Sequence, residues 1–176
     1  MKQVKKFKNK KKAFTIIELV FVIVIIGILA SVAVPRLSAT RDDAEIAKAL
    51  TLIHSVRSAL SIEKQKRRLR GEFEEITAVG DTTNVFGTFK VGQDYEDTNI
   101  EVLEYSEPSQ RKKYQWHWDG YSNGTYWYAF CLNDSCSGNS DAVWFMVRDG
   151  KFQCVDNPAR HYGKCSTLGI NSIPGW

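Results

Sequence analysis

The sequence predicts an α+β protein: a long kinked N-terminal helix, transmembrane in its first half and amphipathic in its second, packed on a C-terminal antiparallel β-sheet. Three observations predict it. Residues Phe14 to Pro35, FTIIELVFVIVIIGILASVAVP, are apolar for nearly their whole length. Ile46, Leu50, Ile53, Val56 and Leu60 then recur at helical spacing. Beyond Glu72, short alternating or aromatic-rich runs separated by turn signals read as strands.

The first element is a leader, MKQVKKFKNKKKA, with seven lysines and no acidic residue. It accounts for the net charge of +4. The rest of the chain has 17 Lys and Arg against 20 Asp and Glu, so the charge balance is poor evidence for a nucleic-acid partner. The second element, Phe14 to Val34, is 21 residues, about 30 Å as a helix and one hydrocarbon thickness. Lysines before it and none within it place the N-terminus in the cytoplasm and the remainder outside. A secretory signal peptide also has a basic start and an apolar middle. Ala30, Ser31 and Ala33 could mimic its cleavage site. The length of the run, its continuation through Pro35 and the acidic Glu18 near its start argue against that reading.

Glu18 is the informative residue. A carboxylate in a bilayer segment is costly and is expected to have a partner. Cleavage between Ala13 and Phe14 would create an α-amine four residues before it, protonated in water at neutral pH because its pKa is about 8. The alternative is that Glu18 reaches the headgroups, being one turn from the end.

Lys12-Ala13-Phe14-Thr15-Ile16-Ile17-Glu18-Leu19, the apolar run and Pro35 together resemble the N-terminal signal of type IV pilins and type II secretion pseudopilins. The resemblance covers about 30 residues and implies a pilin-like fold. It implies that a prepilin peptidase cuts before Phe14 and methylates the new N-terminus. Glu18 would meet an amine during assembly, and Pro35 would kink the helix. The family usually has Gly before the cut; Ala13 keeps the small size. The implied protein is a structural subunit, not an enzyme. Its partners would be sister subunits, the peptidase and an inner-membrane assembly platform. It would start as a single-pass bacterial inner-membrane protein with its C-terminal domain in the periplasm, then enter a periplasmic or surface filament.

Past Pro35 the chain is expected to form an amphipathic helix over residues 36–71, with Gly71 as its stop. Near its end, Lys64, Lys66, Arg67, Arg68 and Arg70 are candidate contacts for DNA or anionic lipid. The favoured reading is a solvated helix end stabilised by the macrodipole, because no second basic cluster of similar density appears. A minor competence pilin binding DNA through its globular domain is the alternative function.

Residues 72–176 are expected to form the β-rich domain. Glu72 to Val85 reads as a connecting loop. The strand candidates are Val85–Val91, Ile100–Tyr105, Tyr114–Trp118, Thr125–Leu132, Ala142–Arg148 and Lys151–Val155. Asp119-Gly120 and Asp149-Gly150 are hairpin signals. The aromatics between Trp116 and Phe145 could stack on bases or sugars, or fill a sheet face at period 2. Cys131, Cys136, Cys154 and Cys165, an even number confined to the last 46 residues, point to two disulfides in an oxidising compartment. The pairs Cys131–Cys136 and Cys154–Cys165 are favoured because each closes a short loop; free thiols or zinc are the alternatives. Asp134, Asn139 and Asp141 are weak calcium candidates. No phosphate loop, nucleophile elbow or zinc motif is present, so no cofactor and no catalytic site are expected.

Overall fold

The computed structural model describes residues 14–122, 125–136, 141–156 and 164–174. A single helix, α1, runs Ile16–Leu69. The chain divides into two compact units, one ending at Asp43 and the other Ala44–Trp176. In the first unit, Ile16–Ala33 has a mean hydropathy of 3.0 and none of it is buried by the rest of the protein. Pro35 falls inside α1, while the side chains of residues 34–39 and residue Ala13 lie outside what is described.

In the second unit, α1 buries Ile53, Val56 and Leu60 of the expected stripe together with Ala49, while Ile46 and Leu50 are half-buried against the same core. The stripe then carries on in polar form: Glu63 is 3% exposed and Arg67 7%. The helix ends in a Schellman motif, with the N–H of Glu72 on the carbonyl of Arg67 and that of Gly71 on Arg68. Gly71 takes a φ of 80°, which a side chain would resist. Such motifs usually close with an apolar contact between the residues that Arg67 and Glu72 occupy here. In this chain an ion pair of 3.0 Å replaces it.

The strands form two sheets, not the single one expected. β1 (Ile76–Val79), β2 (Thr88–Val91) and β3 (Glu96–Glu101) form an antiparallel sheet in that order. β4 (Trp116–Ser122), β5 (Thr125–Cys131), β6 (Ala142–Arg148), β7 (Lys151–Asp156) and β8 (Ser172–Pro174) form a second. β8 runs parallel to β7. Three expectations are corrected. Glu72 to Val85 is not all loop, because Ile76 and Val79 are buried and β1 finds its partner in β2. The Ile100–Tyr105 strand lies earlier, at Glu96–Glu101. Asp119-Gly120 is no turn: it sits within β4, where the register shifts as at a bulge. Asp149-Gly150 does turn the β6–β7 hairpin, with φ of 54° and 63°.

Alternation along β5 and β6 sends side chains to both faces. Tyr128, Phe130, Val143, Phe145 and Val147 join Trp116, Phe152 and the α1 stripe in the main core. Ala129, Cys131, Ala142 and Trp144 form a smaller cluster with Cys136. Phe145 stacks on Phe152 at 5.0 Å, and Phe86 meets Trp116 edge-on at 5.0 Å. Trp116, Tyr128, Phe130, Trp144 and Phe145 are therefore core, while Trp118, Tyr126 and Trp127 are half-buried against it.

Candidate functional site

The N-terminal turn of α1 is built by Thr15 and Glu18. Thr15 donates its N–H (2.9 Å) and its hydroxyl (2.8 Å) to Glu18 Oε2. The Glu18 N–H points back at Thr15 Oγ1 at 3.3 Å. This is a capping box, which satisfies helix N–H groups that have no partner within the helix. The T-x-x-E spacing before an apolar run was a legible signal for it. The box fixes the Glu18 carboxylate at the helix start, facing the N-terminal side. Phe14 beside it is exposed. Ser31, further along, returns its hydroxyl to the carbonyl of Ile28 at 2.7 Å, so it presents little polarity on the apolar surface.

The five basic residues near the helix end have separate fates. Lys64 donates to the carbonyl of Asp149 at 2.8 Å. Arg67 is buried against Glu72. Arg70 pairs with Glu63 at 3.0 Å and with Glu72 at 2.8 Å. The hydrogen bond from Arg70 holds the Glu72 carboxyl below its ordinary range. Of the five, Lys66 and Arg68 are exposed and have no partner among the described residues. The structure thus spends three of the five candidate anion contacts internally.

Cys131 pairs with Cys136 (Cα–Cα 5.2 Å) and Cys154 with Cys165 (6.0 Å). Of the calcium candidates, Asp134 Oδ1 accepts the N–H of Lys113 and Asp141 Oδ2 accepts the hydroxyl of Ser135. Asn139 lies outside the described residues. Among the described residues no group of three or more His, Cys, Asp or Glu could hold a metal.

Ser109, His117 and Asp119 lie close together and invite comparison with a hydrolase triad. The hydrogen bonds run the wrong way for one. Arg111 Nε donates to His117 Nε2 at 2.8 Å, so that nitrogen carries the lone pair. The proton is then on Nδ1, directed at Ser109 Oγ at 3.1 Å. The imidazole cannot take a proton from Ser109 in this state, as a general base must.

A family model described as a prokaryotic N-terminal methylation motif matches residues 8–34. The N-terminal segment thus carries a prokaryotic N-terminal methylation motif. Over 72 residues the chain is 36% identical to a fimbrial protein of Moraxella nonliquefaciens, covering 41% of this chain and 47% of that one. It is 41% identical over 56 residues to type II secretion system core protein G of Escherichia coli, covering 32% and 39%. It is 49% identical over 53 residues to the type IV narrow pilus major component of Thermus thermophilus, covering 30% and 46%. The chain spans less than half the length of these relatives. No solved structure matches it. Pilins and pseudopilins are structural subunits rather than enzymes. The matched segment is also the part of the chain that carries Thr15, Glu18 and the unburied apolar helix.

Proposed function

We propose that this protein is a structural subunit, a pilin or pseudopilin, of a type II secretion or type IV pilus filament. The observation that carries the reading is the apolar stretch Ile16–Ala33, none of which is buried and which has a fixed carboxylate, Glu18, in its first turn. Such a surface needs lipid or other apolar helices around it. The methylation-motif match supports cleavage before Phe14 by a prepilin peptidase. Before assembly the helix would anchor the protein in the inner membrane with its C-terminal domain outside. The two cysteine pairs suit such an oxidising compartment. On assembly, the helices of sister subunits replace lipid, and Glu18 meets an amine freed by cleavage.

The test is Glu18→Ala in the full-length chain. The variant should insert in the membrane and be processed as the wild type is, yet be lost from sheared filaments. Normal incorporation of the variant would contradict the role given to Glu18. DNA binding gains no support from the helix end, where three of the five basic side chains are already paired.

A further inference from the structure

The segment that joins the two sheets, residues 102–115, is tied back to β4 through the His117 imidazole. On one side of the ring Nδ1–H donates to Ser109 Oγ at 3.1 Å. On the other Arg111 Nε donates to Nε2 at 2.8 Å. Ser109 is also held from elsewhere. Its N–H donates to the carbonyl of Thr83 at 2.9 Å, and its Oγ accepts the N–H of Trp118 at 3.1 Å. The Arg111 guanidinium has one further partner among the described residues, Asp119, whose Oδ1 accepts from Nη2 at 3.0 Å. The same Oδ1 lies 3.8 Å from His117 Nε2. Across the sheet, β5 faces His117 with Ala129, which has no charge. The charges that act on the imidazole are therefore Arg111, from the joining segment, and Asp119, from β4.

A guanidinium accepts no hydrogen bond and does not give up its proton. The bond from Arg111 therefore lasts only while Nε2 keeps its lone pair. A proton on Nε2 sets two N–H donors, both on cationic groups, against each other. The His117 side chain is only 16% exposed, so the imidazolium needs an acceptor from the protein. Asp119 is the carboxylate within reach. We propose that His117 is a proton-operated latch: when Nε2 takes a proton, Arg111 leaves it, Asp119 moves in to accept from it, and Arg111 turns outward. The bond from Nδ1 to Ser109 is the same in both states, so the change is confined to one side of the ring. In the closed latch Arg111, His117 and Asp119 sum to no charge. The open latch carries one positive charge more, beside the exposed Lys112 and Lys113. Burial and Arg111 hold the proton off while Asp119 favours it, which places the opening below pH 6.5. The latch lies wholly within the Ala44–Trp176 unit and works whether or not the chain is in a filament.

The experiment is a pH titration from 8 to 5 of the full-length chain in detergent micelles, labelled with nitrogen-15 at arginine and histidine and read by NMR. At pH 8 the His117 ring should carry its proton on Nδ1, with Nε2 bare. As Nε2 takes up its proton, protection of the Arg111 Nε–H against water exchange, relative to free arginine at the same pH, should fall at least tenfold. The two changes should share one midpoint. In Asp119→Asn, which removes the charge that receives the imidazolium, the His117 midpoint should move to lower pH. In His117→Gln, whose amide oxygen can accept from Arg111 but does not titrate, the protection should stay level. A proton on Nε2 at pH 8 would overturn the latch. So would protection that persists after His117 has titrated, an unmoved midpoint in Asp119→Asn, or the same loss of protection in His117→Gln. The first two of these are read on the wild-type chain, so the latch can be refuted even if a variant fails to fold.

Discussion

Tyr128 is the side chain on which the two sheets meet. It is fully buried, and its hydroxyl accepts the N–H of Val79, from β1, at 2.8 Å. Burial pushes its phenol far above the ordinary range, so it stays neutral. Tyr128→Phe keeps the ring but leaves a buried N–H unsatisfied, a loss of about 1–3 kcal/mol. Urea unfolding of a fragment from Ala44 onward should show that loss, and an unchanged midpoint would mean Val79 finds another partner. His117 gives a pH prediction. Burial first, then the neighbouring Arg111, lowers its pKa below 6.5, with Asp119 opposing. The unfolded chain therefore takes up the proton first. The stabilising effect is complete above pH 6.5 and is lost as pH falls through the lower folded pKa. The Tm should drop between pH 7.5 and 5, and His117→Gln should flatten that drop. A slope identical in the variant would assign the acid sensitivity to other groups.

At the scale of elements, α1 was the most legible part of the chain. Its apolar stripe is printed at intervals of three and four, and Gly71 marks its end. Ile53→Ala removes a fully buried side chain at the centre of that stripe and should cost about 2–5 kcal/mol. Calorimetry on the same fragment would show it as a large fall in Tm; a small one would mean the helix is dispensable to the core. The strands β5, β6 and β7 were legible too, through alternation and the Asp149-Gly150 turn. β1 was not, because four residues in a polar setting become a strand only through β2, twelve positions away. The division into two sheets is likewise a matter of non-local pairing that no local pattern records. The basic helix end was misleading for a related reason. Charge density is visible along the chain, but the buried Glu63 that pairs with Arg70 is read only once the helix has docked. Arg57, which donates to the carbonyl of Phe152 at 2.9 Å, belongs to the same category. The disulfides were legible from spacing. Cys154–Cys165 closes the longer loop, with a separation of 11 against 5. Replacing both of its cysteines with Ala should cost more than replacing the other pair, on a chain-entropy account. Equal losses in paired thermal melts would mean that loop length is not what matters here.

For the whole molecule, the N-terminal segment and the Ala44–Trp176 unit make different demands. The unit builds its own core from the α1 stripe, both sheets and the Cys154–Cys165 pair, with Cys131–Cys136 in a smaller cluster. The apolar segment has no such core, since none of Ile16–Ala33 is buried. The motif it carries was legible in the sequence, because leader charge, Phe14, Thr15 and Glu18 lie within one short window. The capping box adds that the Glu18 carboxylate is already positioned at the helix start by Thr15. The central claim is that cleavage at Ala13–Phe14 turns a membrane anchor into a filament subunit. Intact-mass measurement of the protein purified from its native membranes tests it most directly. The account predicts the mass of Phe14–Trp176 with one added methyl group and with the hydrogens of two disulfides removed. A mass beginning at Met1, or one beginning just after Ala33 as a signal peptidase would leave it, would contradict the account.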